Sequence, residues 1–507
     1  METRNVLLFV AAVSVESALA QAPLVEWEAT FGGSGFERAY TVQPVADGGY
    51  LVAGVTESED GDVTGQQGAL DFWLVKTDAN GGLVWEQTLG VGLESWVQDA
   101  VELPSGDLVL VGWVEPIAMQ IRVVKMTSNG TIVWVHDLGG SYDERGYAID
   151  PTPDGGFLIA GQTHSNDVDV SGNHGADDAW VVKLDQNGII QWQRCLGGSG
   201  NEVGYDISST PDGGSVVLCG TVYSDDGDVT GSHGMDDVWV VKLDAVGAIE
   251  WQQCYGGSNS EWGYELRLCP DGGYVFVGGS RSSDGDLTSN QGDADLWAVK
   301  LDTAGVLVWQ MSFGGSGYDE ATSLSLGSGL GYTVAGQSWS SDGDVSDPHP
   351  GGEAWLLHLG GTGTLVWEHC YGGSSTESAQ CIRPTSDGGF VLAGGARSAD
   401  GDVGFNQGLD DFWLVKLSGS EGTAVPTVED QGIQAVCDPS GQVIRIELGH
   451  RGTEATVRVC DMMGKVLAAT SFRGHSGRID LQALTAGGYV VEVSSPVERS
   501  AFRFVVY

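Results

Sequence analysis

Short apolar runs separated by Gly- and Asp-rich turns fill most of the chain, and their order repeats. In the first copy, residues 39–43 alternate apolar and polar, and residues 50–55 form a nearly continuous apolar run. A second such run covers residues 72–76, and residues 83–88 alternate again around Trp85. Asp47-Gly48-Gly49 separates the first two segments, and a turn from Asp78 to Gly82 separates the last two. Runs of β-branched and aromatic residues between such turns predict four strands, here A to D. A landmark closes each copy: Phe31-Gly32-Gly33-Ser34, then Leu89-Gly90, Leu138-Gly139, Leu196-Gly197, Tyr255-Gly256, Phe313-Gly314 and Tyr371-Gly372. Successive landmarks lie 58, 49, 58, 59, 58 and 58 residues apart, so the second copy has lost a loop. Seven four-stranded units predict an all-β, seven-bladed propeller.

The two ends of the array indicate how the ring closes. A D-like segment, residues 25–31, precedes the first full unit, and the last unit stops after its C strand near Lys416. The strand missing at one end is present at the other, so residues 25–31 are expected to pair with residues 411–417. An open solenoid would instead leave a stray strand at each end. One Trp recurs in most C strands (Trp73, Trp180, Trp239, Trp297, Trp355, Trp413) and one in every D strand (Trp27, Trp85, Trp134, Trp192, Trp251, Trp309, Trp367). That regularity predicts packing between blades rather than an aromatic binding surface.

The A–B and C–D turns are short, while the B–C and D–A connections are long, varied and on one face of the ring. Function usually sits on such loops. Six B–C loops carry Asp-x-Asp with a third acid before strand C: Asp60, Asp62 and Asp71; Asp167, Asp169 and Asp178; Asp226, Asp228 and Asp237; Asp284, Asp286 and Asp295; Asp342, Asp344 and Glu353; Asp400, Asp402 and Asp411. Ca²⁺ takes six to eight oxygens and accepts such carboxylates, which makes these loops candidate Ca²⁺ sites. The same Asp and Gly residues also form turns through side-chain bonds to the backbone. An acid also stands six residues after each landmark but one: Glu37, Glu144, Glu202, Glu261, Asp319 and Glu377, with Ser95 in the second copy. These acids could ring the channel mouth or hold their own loops. His174 and His233 occur in two B–C loops and define no catalytic set. No Gly-x-Ser-x-Gly, His-Glu-x-x-His or phosphate-loop motif occurs.

Charge narrows the partners. Asp and Glu total 69 against 23 Lys and Arg, a net charge of -46, which argues against nucleic acid and anionic membranes as partners. Arg4, an apolar run over residues 6–15 and Ala18-Leu19-Ala20 read as a signal peptide, residues 1–20. No other stretch approaches the ~18 apolar residues of a transmembrane segment. Export permits disulfides, but Cys195, Cys254 and Cys370 occupy one D-strand place on different blades and read as buried thiols. Cys437 and Cys460 are the candidate bridge.

Residues 21–417 thus form the propeller and residues 418–427 a linker, and a small β-sandwich is expected over residues 428–507. Strands are expected there at 443–448, 455–460, 465–471, 478–481, 488–493 and 502–506. Val459-Cys460-Asp461, Gly464-Lys465-Val466 and the run from Ile479 to Val493 resemble the C-terminal sorting domain of type IX secretion cargo in Bacteroidetes. Asp438-Pro439 and Tyr507 stand where that family usually has Asn-Pro and a basic last residue. The chain also resembles secreted Bacteroidetes propellers with Ser-x-Asp-Gly-Asp-Val loops. The resemblance implies recognition by the type IX secretion machinery, followed by release or attachment at the outer-membrane surface. The resulting expectation is a secreted binding or scaffold propeller with a glycan or protein ligand. An extracellular polysaccharide hydrolase or lyase using face carboxylates is the alternative.

Overall fold

The computed structural model describes residues 22–115, 117–327 and 331–419, and, in the tail, seven strands between Ile433 and Val506. It divides into a unit spanning Ala22–Gly419 and another holding Ser420–Tyr507. All elements are strands, and among the described residues no helix is long and apolar enough to cross a membrane.

Seven four-stranded antiparallel sheets make up the first unit. Blade one runs A to D as Glu37–Pro44, Tyr50–Thr56, Asp71–Thr77 and Leu83–Thr88. Strand A begins earlier than its apolar pattern suggests, because Glu37 itself enters the ladder opposite Thr56. The B and C strands are buried on both faces, which is why they read as continuous apolar runs. Their side chains meet those of the adjacent blades in seven apolar clusters, one for each interface in the ring.

The tryptophans occupy the packing places their periodicity predicts. All six C-strand indoles are fully buried. Trp73, Trp180, Trp239, Trp297 and Trp355 each donate Nε1–H to Glu or Gln on strand D, as from Trp180 to Gln193 at 2.8 Å. The second blade has Arg122 at this place, and its guanidinium forks onto Asp137 with two bonds of 2.7 Å. Six of the seven D-strand tryptophans, all but Trp367, pack under the C–D turn of the following blade. Gly247 (φ +80°) sits so close to Trp192 that a Cβ there would lie 2.9 Å from the ring, and the left-handed backbone independently requires glycine. Below the same turns, the C-strand lysines Lys76, Lys183, Lys242, Lys300 and Lys416 reach the Asp of the A–B turn.

The ring closes as the displaced strand predicts. Val25–Phe31 runs antiparallel to Asp411–Leu417, with Glu28 opposite Val415 and Phe31 opposite Phe412. Lys416 Nζ bonds Glu26 at 3.1 Å, and the Tyr371 hydroxyl donates to the Pro23 carbonyl at 2.7 Å.

The tail holds a three-stranded sheet (Ile433–Cys437, Val443–Leu448, Ser476–Asp480) and a four-stranded one (Val466–Arg473, Glu454–Asp461, Gly487–Ser494, Arg499–Val506). Ile433–Cys437 is a strand the pattern did not predict. The packing of the two sheets into a sandwich rests on side chains outside the described residues, as do the Cys437–Cys460 bridge and the signal peptide. The six propeller cysteines are buried free thiols.

Candidate functional site: the loop face and channel mouth

The repeated acids organise the loops from below. At the junction of blades three and four, Glu202 is fully buried and accepts from Gly198 N (2.8 Å) and the Thr221 hydroxyl (3.1 Å). Asp226 accepts from Ser199 N at 2.6 Å, and Ser224 Oγ from Gly200 N at 3.2 Å. Backbone donors therefore hold the Asp226 carboxyl below the usual range. Glu37, Glu144, Glu261, Asp319 and Glu377 are buried and bound within their own loops in the same way. They hold their loops and do not line the mouth.

The three-acid grouping read along each B–C loop comes apart in space. Asp60 and Asp62 turn toward the preceding D–A loop, accepting from Ser34 N (2.7 Å) and Gly32 N (3.2 Å). Asp71 accepts from Gln67 N at 2.6 Å and lies against Gly90, one junction further on. Asp167 and Asp169, Asp226 and Asp228, Asp284 and Asp286, Asp342 and Asp344, and Asp400 and Asp402 all repeat the first arrangement. Asp178, Asp237, Asp295 and Asp411 repeat the second, each against the next landmark glycine, and Glu353 lies near Gly372 in the same way. Among the described residues no three His, Cys, Asp or Glu side chains converge as a metal site.

What does converge, at five of the seven junctions, is a pair of buried carboxyls: Asp411 with Glu37, Asp178 with Glu202, Asp237 with Glu261, Asp295 with Asp319, and Glu353 with Glu377. Burial first, and the neighbouring carboxylates after it, push Asp411 and Asp295 up to about 6. Burial likewise raises Asp178, Glu202, Asp237 and Glu353. Oδ1 of Asp71, Asp178, Asp237, Asp295 and Asp411 is buried without a partner. In the two remaining junctions one member is neutral. Gln120 donates to Glu144 Oε2 at 3.2 Å, and Ser95 stands in the loop that faces Asp71. His349 joins His174 and His233 four residues before the C-strand acid, where other loops have Gln; His174 and His349 each bond that acid at 2.7 Å.

Above this repeated scaffold lies a surface that does not repeat. The residue after each A-strand acid is Arg38, Trp96, Arg145, Val203, Trp262, Glu320 or Ser378. In the first five blades these residues and their i+2 neighbours take the less buried positions of the A strand, whereas Glu320 and Ser378 are themselves buried. Their rings meet across blades: Tyr40 with Trp96 (5.7 Å), Tyr147 with Tyr205 (5.7 Å), Tyr205 with Tyr264 (6.0 Å), and Trp262 stacked on Tyr318 (6.1 Å). Arg145 lies over Trp113, and Arg281 over Trp262. Every aromatic residue more than about a third exposed among the described residues (Tyr142, Tyr223, Tyr264, Trp339, Phe405) lies on the B–C and D–A loops or in the channel. Tyr223 has φ +57°, a backbone conformation that costs an L-residue about 1–2 kcal/mol. A cavity of about 290 Å³ opens among Arg38, Gln337, Trp339, Ser378, Arg397 and Asp410. Sequence reasoning missed these positions because it followed the residues that recur; the signal was the irregular residue beside each regular acid.

The architecture is a seven-bladed β-propeller. Residues 438–507 match the secretion system C-terminal sorting domain, so the chain ends in a type IX sorting domain that directs secretion or cell-surface attachment. Among solved structures, the extracellular domain of a one component system from B. thetaiotaomicron is similar at 12% identity and a TM-score of 0.40, covering 93% of this chain and 57% of that one. This chain therefore spans less than two thirds of that relative. The Pan2 WD40 domain of Neurospora crassa is similar at 10% identity and TM-score 0.41, covering 74% of this chain and 88% of that one. A puromycin hydrolase is similar at 12% identity and TM-score 0.44, covering 81% and 58%. Among curated proteins none matches.

Proposed function

We propose that this protein is an exported carbohydrate-binding propeller that holds glycan at the aromatic mouth of its loop-rich face. The exposed aromatic residues gathered on that face carry the reading. Flat rings cover the C–H faces of sugars, and polar groups between them select hydroxyls. The repeated acids of the B–C and D–A loops accept from the backbone of those loops, which favours binding over a polysaccharide cleavage that would use them. A type IX sorting domain implies secretion or surface attachment, which agrees with a ligand met outside the cell.

A glycan array with the full mature chain tests this. Tyr223→Gly removes an exposed ring and also its backbone strain. Affinity for the retained glycan is expected to fall about tenfold, near 1.4 kcal/mol, with melting unchanged or raised. An array that retains no saccharide, or full affinity in this variant, would sink the reading.

The B–C aspartates act in this proposal as loop caps and need no Ca²⁺. Chelator should leave the melting curve unmoved, whereas Asp226→Asn with Asp228→Asn should lower it. A melting temperature that drops on chelation and returns with Ca²⁺ would restore the metal reading.

A further inference from the structure

Resting on the carbohydrate reading, we infer that the cavity at the seam of the ring receives a single anionic group on a sugar unit, a uronate carboxylate or a sulfate ester. Its walls come from blades six, seven and one, so residues far apart in sequence meet there. Arg38 Nη2 and Arg397 Nη2 each lie 3.3 Å from Asp410 Oδ2, and Arg397 Nε also bonds Oδ1. Asp410 is buried and held in place, its carbonyl accepting from Glu37 N at 2.7 Å. Two guanidinium groups share one carboxylate at this wall, and the Glu320 carboxylate beyond Gln337 is taken up by Trp262 Nε1–H, the Tyr318 hydroxyl and Gln337 itself, so guanidinium charge faces the cavity.

That charge is positioned for a ligand. The Arg38 side chain lies over the Phe36 ring at 5.2 Å, and its Nε is a buried donor with no partner. Beside it Gly395 leaves open the space a side chain would fill, since a Cβ there would lie 3.6 Å from that Nε. Guanidinium forks bind carboxylate and sulfate oxygens in pairs, and an orphan N–H is costly until an acceptor arrives. Across the cavity Trp339 is 49% exposed. Its ring rests on Gly352, where a Cβ would come within 2.7 Å, so this blade carries the glycine that lets the indole lie flat. Gln337 gives its Nε2 to Glu320 at 2.7 Å and keeps its carbonyl for a hydroxyl. The volume of about 290 Å³ sits at the small end of ligand pockets, the size of one sugar residue rather than a chain.

The test is calorimetry on the full mature chain. One arm uses oligosaccharides containing glucuronate or galacturonate, a second uses sulfated ones, and each is paired with its carboxyl-reduced or desulfated counterpart. At least one charged series should bind about tenfold or more tighter than its neutral partner, the fold-change of one charge-assisted hydrogen bond. Arg397→Gln should abolish that preference, and Trp339→Ala should weaken charged and neutral forms alike. Arg38→Gln, judged with its melting curve, gives a second reading should Arg397→Gln disturb the fold. Equal affinity for charged and neutral oligosaccharides, or a preference that survives both arginine variants, overturns the inference and leaves the carbohydrate reading standing. Failure of every saccharide to bind overturns both.

Discussion

Deletion of residues 22–31 is expected to cost at least about 5 kcal/mol, against roughly 0.5 kcal/mol for an ordinary surface change. The deletion strips a complete ladder from Asp411–Leu417, whose seven residues are all buried in the closed ring. Phe31 leaves the cluster it shares with Phe412 and Leu414, and loss of one buried Phe alone is worth about 3–5 kcal/mol. The Glu26–Lys416 pair and the Pro23 acceptor of Tyr371 go with it. Denaturant unfolding of the full chain and the deletion variant measures the difference. A synthetic peptide of residues 22–31 added in trans should recover part of it. Identical midpoints would mean that blade seven stands on three strands.

A second expected result is a stability maximum on the acid side of neutral. Asp206, Asp295 and Asp411 are raised from 3.8 to about 6 in the folded protein, burial being the largest cause for each. The folded state therefore holds protons the unfolded chain releases. The stability this confers is complete below about 3.8 and is lost as pH rises through about 6. The turn acids Asp154, Asp212 and Asp387 are lowered to about 2, helped by hydroxyl and lysine partners. Their contribution is complete above 3.8 and is lost as pH falls toward 2. The two slopes place the maximum near pH 4. Asp411→Asn with Asp295→Asn should raise stability at pH 8 by on the order of 1–3 kcal/mol per site and change little at pH 4. Gln120 already makes the corresponding neutral replacement in the second blade. Melting temperatures that rise from pH 4 to pH 8, or a double variant weaker than the parent at pH 8, would contradict the reading that these buried carboxyls hold protons in the folded state.

The ring was legible because packing between blades imposes the same requirement seven times. Trp239 and Trp297, or Lys242 and Lys300, solve one local problem in successive copies, and repetition exposes the solution. The displaced strand could be read by subtraction, since Val25–Phe31 had no hairpin partner of its own. The partners of the acids were not legible. Asp60 bonds a residue 26 positions earlier, and Asp71 serves a junction after its blade; neither follows from spacing along one loop. The mouth was hidden for the opposite reason. Arg38, Trp96 and Trp339 are departures from the repeat, and a reading that weights recurrence sets departures aside. Ile433–Cys437 escaped notice because it is a short strand set apart from the rest of its sheet by Asp438-Pro439.

Closure by the first strand also sets a timetable. Glu28 pairs with Val415, 387 residues further along the chain, so the first strand stays without its partner until the last blade has formed. For that interval Trp27 and the edge beside it have no place in the ring. The last blade of a neighbouring copy offers an identical slot, so crowded refolding should yield dimers that have exchanged their first strands, each ring completed by the other chain.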